Sequence, residues 1–588
     1  MISYRSLRVA HAKRAALSAI GCAVIVAVSP VSPVSPVAAT ASVSTPAGAG
    51  SGAFAWGSDQ ESTSYNINTP QGNTTANTVV VNQVLRGFWQ FTPDGSLQAD
   101  LQFGTYQKTS DSPLTVSYQI NPLARWSDGR PIDCDDVTLT WLANSGATGS
   151  QGFSAASTAG YQDMTRPRCT AGARAFTVTY RRPFADWATM FGPGAILPAH
   201  IVEQQGGMTE TFIDLADTPA STDLAAAINF YNTGWQFAAG NLRRDLMPSS
   251  GPYTISSRVP GQSLTLTANP AWWGAPARSQ TLVQRHLTSD AQVQALRNSQ
   301  INAASSSMMD LQPQLDLIDH LKHLGKKVTY SAHDTFNFEQ MAFNTATMKD
   351  RNLREAFARC LPRQQIVDEL IKPVNPRATI QESRFILPFQ PQYQDFTRST
   401  GGHSYDRIDL AAARTAMARS GARTPVTVRI GWQKDPQSLS FQRRTRTIAM
   451  LQATCNQVGF NIVDAGTPTF FTHQWAARDW DIALFAWTDS PLVTSTDGIY
   501  TTSGSLNFTG YSNPQVDAMS TQLDQAPDKN NQLRLLQQID TLLWQDLATI
   551  PLYSFPAILA TSPDAKNVEF NPTQAGLTWN ADAWRLQS

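Results

Sequence analysis

Apolar and polar residues follow two different periods along this chain. Every second residue is apolar in three early stretches, which predicts half-buried strands: Leu114–Ile120, Ala175–Tyr180 and Leu264–Ala268. Later, short apolar runs alternate with segments of helical spacing. The runs predict three more strands: Val426–Trp432, Phe460–Val463 and Asp481–Trp487.

Three helices are predicted between and after these later strands. Asp409 can cap a helix that ends before Gly421, because a short acidic side chain accepts from free backbone N–H groups. A second helix covers Gln442–Val458, and a third follows the apolar spacing of Leu533, Leu536, Ile539 and Leu543. Alternation of helix and strand predicts an α/β lobe.

The N-terminus predicts export. Basic residues precede the apolar run Ala15–Val28, and Ala39-Thr40-Ala41 offers a cleavage site, so residues 1–41 are expected to be a signal peptide. A membrane anchor is the alternative, but the apolar run is short of the roughly 20 residues that span a bilayer. Lipidation at Cys22 stays open, and 42–52 is expected to be a disordered leader.

Length and charge narrow the function. The 588 residues are too many for one core, so two or three domains are expected. The chain has 45 Lys and Arg residues and 45 Asp and Glu residues, so its formal net charge is zero. It therefore lacks the net positive charge that is typical of nucleic-acid-binding proteins. The chain shows no internal repeat and no second linker, so two lobes joined by structured crossings are predicted.

Four cysteines remain once the signal peptide is removed. An even count in an exported chain favours disulfides, and three pairings are possible. We favour Cys134–Cys169, which are close in sequence, and Cys360–Cys455, which we place on neighbouring helices. A zinc site of four cysteines is the alternative, although no C-x-x-C pair is present.

Four aspartates crowd into the stretch ARWSDGRPIDCDDVTLTW, residues 124–141. Asp128 and the following glycine are typical of a turn. Asp133 and Asp136 can together cap the N-terminus of a helix. The alternative is a calcium loop, but its spacing is absent and no glutamate follows. A structural role is the favoured interpretation.

The same stretch carries a family resemblance. It resembles the signature of the bacterial extracellular solute-binding proteins of family 5, the peptide and nickel type. Five further segments agree in order, which makes the resemblance specific although each motif is modest. The matching segments are 126–132 with 135–137, 251–253, 269–274, 343–345 with 353–356, 510–514 and 550–553.

This resemblance implies an α/β, two-lobed, type II (Venus-flytrap) periplasmic-binding-protein fold with a small subdomain inserted in lobe I. The implied limits are residues 53–275 for lobe I, with the inserted subdomain at about 80–200, and 276–486 for lobe II. Residues 487–588 are expected to return to lobe I. Crossings are expected near 273–279 and 487–489. The family implies capture of oligopeptides between the lobes and delivery to an ABC permease and ATPase. No cofactor and no metal is expected, and the protein is expected to be monomeric, in the cell envelope.

The resemblance also points to ligand-binding residues. In peptide-binding relatives a tryptophan and a nearby aspartate after this strand contact the ligand, which indicates Trp487 and Asp489. Asp489 would pair with the peptide ammonium, although it could equally be part of a turn. The weaker candidates are Trp56, Tyr65, Asn66, Asn507 and Phe508. The arginines Arg443, Arg444 and Arg446 are interpreted as a solvated helix face.

Other functions stay open. An exported hydrolase is the main alternative class, but the chain has no G-x-S-x-G elbow and no H-E-x-x-H motif, so no enzyme is expected. The same fold could carry a metal chelate, haem or oligosaccharide. It could also serve as a signalling receptor, since fold alone does not fix function.

Overall fold

The structure is a computed structural model. It describes residues 52–149, 152–215, 224–237, 242–306, 310–438, 440–488 and 490–587. The predicted signal peptide, Cys22 and nearly all of the predicted leader lie outside these residues. Within the described residues, no helix combines the length and the apolar character that a membrane span requires.

The strands, in chain order, account for most of the predicted alternating stretches. They are β1 Ala53–Ser58, β2 Trp89–Phe91, β3 Leu97–Ala99, β4 Gly104–Asp111, β5 Leu114–Ile120, β6 Ala175–Thr179, β7 Tyr253–Val259, β8 Ser263–Ala268, β9 Thr281–His286, β10 Ala303–Ser306, β11 Thr329–Phe343, β12 Val426–Gly431, β13 Phe460–Asp464, β14 Ile482–Thr488, β15 Thr549–Thr561, β16 Ala565–Lys566 and β17 Arg585–Leu586.

The α-helices lie mostly in the second half of the chain. They are α1 Thr75–Val84, α2 Cys134–Asn144, α3 Ala199–Gly206, α4 Phe212–Leu215, α5 Leu224–Asn229, α6 Ser289–Arg297, α7 Leu311–Leu324, α8 Arg351–Cys360, α9 Arg363–Leu370, α10 Tyr393–Thr397, α11 Leu410–Ser420, α12 Phe441–Cys455, α13 Trp475–Ala477, α14 Asp497–Tyr500, α15 Pro514–Asp524 and α16 Lys529–Asp546. The predicted strands and the three predicted helices are confirmed, with ends that move by a few residues.

Ten of these strands form one mixed sheet, in the order β13-β12-β14-β11-β15-β10-β1-β9-β8-β7. A first hydrophobic cluster covers the β1, β7, β8 and β9 end and defines lobe I. Three further clusters cover the β11 to β14 end with the helices α8 to α16, and these define lobe II. The predicted two-lobed α/β fold is therefore confirmed.

A separate three-stranded antiparallel sheet, β4-β5-β6, forms the small subdomain inserted in lobe I. Both predicted disulfides are present. Cys134 at the start of α2 joins Cys169, with their Cα atoms 6.2 Å apart. Cys360 and Cys455, at the ends of α8 and α12, join with a Cα separation of 5.1 Å.

Two long strands, β11 and β15, belong to both lobes. Thr329–Asp334 pairs with Pro556–Thr561 beside lobe I, and Phe338–Ala342 pairs with Thr549–Ser554 inside lobe II. The pairing shifts register between Asp334 and Phe338, and we call residues 335–337 the hinge break. We propose that these two strands are the crossings between lobes. Residues 514–546 pack in the lobe II clusters before β15 returns, so the predicted division at 487 stays a prediction.

The aspartates of residues 124–141 have structural roles. Asp133 caps α2 in a capping box with Asp136. The buried Asp136 carboxylate also accepts from Ala199 N at 2.8 Å and from the Trp126 indole at 3.2 Å. Asp128 accepts from Arg130 N in a turn where Gly129 has a φ of 93°. Asp128, Asp133 and Asp136 accept from local donors, as the sequence pattern predicts, whereas Asp135 accepts from the distant Ile213 N at 3.0 Å.

The interpretation of the arginines at the start of α12 is wrong for two of the three. Arg443 is fully buried and donates to the Gln314 amide oxygen at 2.6 Å. Arg444 is buried against Glu339 of β11 at 2.7 Å. Both cations are compensated inside lobe II, and only Arg446 is exposed. The local charge pattern could not predict these two buried contacts, because the partners of Arg443 and Arg444 lie more than 100 residues away in the sequence.

The neighbouring carboxyl groups of Glu203 and Asp135 predict how the stability of the protein depends on pH. Burial and hydrogen bonding to Asp135 raise the pKa of Glu203 to about 8, well above the ordinary value for a glutamate. A carboxyl with a raised folded pKa contributes stability below its unfolded pKa and loses that contribution as pH rises through the folded pKa. We expect the melting temperature to fall between pH 5 and pH 9, and to fall less steeply in Glu203→Gln.

The control is Glu210→Gln, which removes an exposed glutamate seven residues further along. Its melting temperature should follow the wild-type pH dependence. Identical slopes for the wild-type protein and Glu203→Gln would contradict the raised pKa of Glu203.

Candidate functional site

A cavity lies between the two lobes. The tip of the β2–β3 hairpin of lobe I forms one side. Lobe II forms the other sides from three segments. The lining is Asp94–Ser96 from lobe I, with Phe385, Ile386, Gln390, Gln392, 490–493, Lys529, Gln532, Leu533 and Leu536 from lobe II. We call this space the interlobe cavity.

Close packing joins the hairpin tip to the hinge break. Gly95 has a φ of 76°, and a Cβ atom there would lie 2.7 Å from Phe336 Cζ and 3.5 Å from Pro491 Cγ. Glycine meets both demands, since it tolerates positive φ and adds no side chain. Phe336 in turn packs edge-on against Phe389, with ring centroids 5.0 Å apart. The lobes therefore touch through small and aromatic groups at this point.

A second contact between the lobes uses a buried carboxylate. Asp186 of lobe I accepts from Val493 N at 3.2 Å, and from Thr494 N at 3.1 Å and Thr494 Oγ1 at 2.7 Å. Neighbouring residues reinforce it, since Gln532 donates to Ala185 O at 2.9 Å. Burial raises the pKa of Asp186 above its ordinary value, and these hydrogen bonds oppose the rise.

A smaller cavity lies within lobe II, on the face of β11 and β14 opposite α12, and it encloses room for about one water molecule. We call it the aromatic cavity. Rings dominate its walls: Trp475 and Phe485 have centroids 4.6 Å apart, and Phe485 and Trp487 5.2 Å apart. The lining is Gln340, Ala342, Trp475, Phe485, Trp487, Ile499, Tyr500, Leu506, Phe508, Thr509, Tyr511, Ala548 and Thr549.

Three side chains of the aromatic cavity, Gln340, Trp475 and Trp487, carry polar atoms without partners in the part of the chain that the structure describes. Gln340 is fully buried, and neither its amide nitrogen nor its amide oxygen has a hydrogen-bond partner in the structure. The same holds for the indole nitrogens of Trp475 and Trp487. A buried polar group without a partner costs about 1–3 kcal/mol, so such groups require an explanation.

Charged groups lie behind this cavity and are neutralised there. Arg384 donates to the Asp540 carboxylate at 2.6 Å, and both side chains are fully buried. Arg384 also donates to Thr549 Oγ1 at 2.7 Å. Among the described residues that line the aromatic cavity, none carries a charge. The arrangement can hold an uncharged group, and burying an unpaired charge there would be costly.

The predicted site residues separate into two places. Trp487 and Phe508 lie together on the wall of the aromatic cavity. Asn507 lies beside them, buried, and donates to Thr501 O and Tyr511 O. Asp489 lies outside the described residues.

The other three predicted residues lie in lobe I. Trp56 packs edge-on against Trp584 in the core. Tyr65 is fully buried and its hydroxyl donates to Pro248 O at 2.5 Å. Asn66 donates to Tyr231 O at 2.9 Å. The structure therefore does not bring these three together with Trp487.

Sequence analysis missed the other residues of the aromatic cavity, among them Gln340, Trp475, Ile499, Tyr500, Leu506, Thr509 and Tyr511. One signal was available, because Glu339 and Gln340 interrupt the apolar end of β11 between Phe338 and Met341. A polar residue on a buried strand needs a partner or a ligand. The contact of Asp186 with 493–494 carries no local signal, since it joins residues about 300 positions apart.

Two α/β lobes on a shared sheet, with an inserted subdomain and a cavity between the lobes, define the class of two-lobed solute-binding proteins. Solved structures share this fold. A periplasmic EDTA-binding protein, EppA, matches with a TM-score of 0.75 and 20% identity, covering 94% of this chain and all of that one. The oligopeptide-binding AppA of Bacillus subtilis, solved with a nonapeptide, matches with a TM-score of 0.61 and 16% identity over 91% of this chain and 99% of that one.

Sequence relatives give the family. The model of the bacterial extracellular solute-binding proteins of family 5 matches residues 97–508. An uncharacterized lipoprotein of Mycobacterium tuberculosis is 30% identical over 542 residues, or 89% of this chain and 91% of the relative. The oligopeptide-binding protein OppA of the same organism is 27% identical over 514 residues, 86% of this chain and 80% of OppA.

The chain therefore belongs to the bacterial extracellular solute-binding proteins of family 5, which serve ABC importers. The predicted family and the predicted export to the cell envelope are confirmed. Attachment by lipid at Cys22 stays a prediction.

The contact of Asp186 with lobe II predicts a change in lobe closure. Asp186→Ala removes three hydrogen bonds to a buried carboxylate, and we expect it to favour the open form by about 2 kcal/mol. Small-angle X-ray scattering without ligand should show a larger radius of gyration. Asp245→Ala, which removes an exposed carboxylate of lobe I, is the matched control, and equal radii for both variants would contradict the prediction.

Proposed function

We propose that this protein captures oligopeptides between its lobes and delivers them unchanged to the membrane permease of an ABC importer. It is a binding protein and not an enzyme. The observation that carries the proposal is the cavity between the lobes, together with a second cavity in lobe II walled by Trp475, Phe485 and Trp487. The 27% identity to the oligopeptide-binding OppA over most of the chain supports the same cargo.

The interlobe cavity suits an extended chain with polar backbone groups. Its lining mixes apolar side chains with amides such as Gln390 and Gln392, and with one acidic and one basic residue, Asp94 and Lys529. A peptide brings amides and two opposite terminal charges, so a closed site must supply both polarities. Wet cavities tolerate different side chains, because bridging waters adapt to each of them.

Trp487 and Asp489 are the proposed ligand contacts at the end of β14. Trp487 supplies a flat wall, as aromatic side chains commonly do in binding sites. Asp489, two positions later, is proposed to pair with the peptide's α-ammonium. The proposal for Asp489 rests on the sequence resemblance and on its position after a strand whose end lines the aromatic cavity.

Native mass spectrometry of the protein purified from its exporting host tests the cargo directly. We expect a heterogeneous set of co-purifying peptide masses that dissociate intact. A single metal chelate or an oligosaccharide would contradict the peptide cargo and keep the fold's role as a binder. Turnover of added peptides into shorter products would contradict the absence of enzymatic activity.

Asp489→Asn tests the ammonium contact. A hydrogen bond to a charged group is worth about 1.5–3 kcal/mol, so affinity for a pentapeptide with a free N-terminus should fall at least about tenfold. Affinity for the N-acetylated peptide should stay the same. Isothermal titration calorimetry measures both, and Asp479→Asn, which changes an exposed aspartate on the same lobe, is the control. Equal losses for both peptides would contradict the pairing.

A further inference from the structure

We propose that lobe I carries a surface that rests on an anionic phospholipid bilayer, with leucine and tryptophan side chains among the headgroups and arginines facing the lipid phosphates. This inference does not depend on the cargo, because the surface lies away from the interlobe cavity. Three observations carry it: a cluster of exposed apolar side chains, arginines without acidic partners, and the edge of the sheet at which the described chain begins.

The apolar cluster is formed by three loops that meet at Gln102. Leu101 and Leu123 are the two most exposed large hydrophobic side chains of the described residues, at 71% and 57%. Asn121 Nδ2 and Trp273 Nε1 both donate to Gln102 O, at 2.9 Å and 2.7 Å, so the loops that carry the leucines and the tryptophans lie side by side. We call this surface the tryptophan patch, and its apolar members are Leu101, Leu123, Trp272 and Trp273.

The two tryptophans are held at the surface. Their ring centroids are 4.4 Å apart, and both residues are half-buried. Gly274 permits the close approach of this loop to the next one, because a Cβ atom there would lie 2.0 Å from Gln102 Oε1. Tryptophan is enriched where a bilayer meets water, since its ring sits among the headgroups. Single exposed apolar side chains are ordinary, whereas a group of them marks an interaction surface.

Positive charge surrounds the tryptophan patch. Arg125 donates to Leu123 O at 3.4 Å, and Arg174 donates to two backbone carbonyl groups of the same loop at 2.8 Å. Arg278 is exposed on the loop of the tryptophans. Within the described part of the chain, none of these three arginines forms an ion pair, and Asp100 beside them is largely buried against another arginine. Anionic lipid headgroups attract such basic residues and would supply the missing counter-charge.

The described chain begins at the same edge of the ten-stranded sheet. β1 starts at Ala53, which pairs with Thr281 of β9, and Thr281 pairs with Thr267 of β8. The loop that carries the tryptophans joins β8 to β9 at this edge. A lipid at Cys22, which stays a prediction, would therefore attach the fold at the edge that carries the tryptophan patch.

The tryptophan patch is separate from the interlobe cavity. The tip of the β2–β3 hairpin lines that cavity, and β3 leads from the tip towards Leu101. The patch and the cavity therefore lie beyond opposite ends of this strand. The leucines can contact a bilayer without covering the lining of the cavity, so bilayer contact is compatible with capture of a solute.

Vesicle flotation of the mature chain, residues 42–588 without a lipid, tests the surface. We expect binding to vesicles of equal parts phosphatidylglycerol and phosphatidylcholine, and about tenfold weaker binding to phosphatidylcholine alone, because the arginines then lack a counter-charge. Leu101→Gln/Leu123→Gln should weaken binding to the anionic vesicles at least about tenfold, since less apolar surface leaves water. Both leucines are exposed, so the double variant keeps the core unchanged.

Ile408→Gln/Val463→Gln is the matched control, because it removes two exposed apolar side chains from lobe II, at 39% and 36% exposure. It should bind the anionic vesicles as the wild-type chain does. Equal binding by the two double variants, or no binding by the wild-type chain, would overturn the proposal. Binding to membranes of the host but not to vesicles of their extracted lipids would assign the surface to a membrane protein, and would also overturn it.

A fluorescent probe tests the contact at one residue. The other four cysteines of the mature chain form disulfides, so the thiol of Leu123→Cys can be labelled with a nitrobenzoxadiazole group. Its emission should shift to the blue and gain intensity on anionic vesicles, because the probe leaves water. The same label in Ile408→Cys should keep its emission. Equal spectral changes at both positions, or no change at either, would overturn the proposal, whatever solute the protein carries.

Discussion

The hydrogen-bonded pair β11–β15 is the constraint on which the two-lobed structure depends. Each strand is long enough to complete the sheet of both lobes, and their ladder is interrupted only at the hinge break and one register shift inside lobe II. Side chains satisfy the backbone there. Thr335 N donates to Ser554 Oγ at 3.2 Å, and Thr335 Oγ1 donates to Phe555 O at 3.0 Å. Rotatable hydroxyl groups replace fixed ladder bonds, so the lobes can bend without exposing unpaired backbone groups.

Buried ion pairs fix lobe II while leaving its ligand-facing surfaces neutral. Arg444 and Glu339 join α12 to the back of β11, and Arg384 and Asp540 join the loop before α10 to α16. Such pairs are weak contributors to net stability, but losing one partner leaves a costly buried charge. They therefore act chiefly to hold helices in one register against the sheet. Glu339 pairs with Arg444 on one face of β11, whereas the adjacent Gln340 lines the aromatic cavity on the other face. Successive side chains of a strand point to opposite faces.

Sequence pattern predicted the elements well where a local signal exists. The alternation in 114–120 and the cap at Asp409 needed only neighbouring residues, and both are present. The disulfide pairing followed from the expected adjacency of α8 and α12. Long-range polar pairing was not predictable, as Arg443 with Gln314 shows. The site was predicted only in part: Trp487 and Phe508 line one cavity, whereas Tyr65 lies in lobe I with its hydroxyl bonded to backbone.

Closure and ligand selection meet in the segment 490–500. Its first half donates hydrogen bonds to Asp186 of lobe I, and its second half lines the aromatic cavity. A ligand can favour the closed form only through contacts that the open form lacks. The Asp186 hydrogen bonds are present without a ligand, so they do not explain how a ligand would favour the closed form. That effect must come from groups of the closed protein that lack hydrogen-bond partners until the ligand binds. The partnerless amide of Gln340 and the indole of Trp487 are such groups, and they lie within a few residues of the hinge break. A ligand that satisfied these groups would therefore act beside the joint between the lobes.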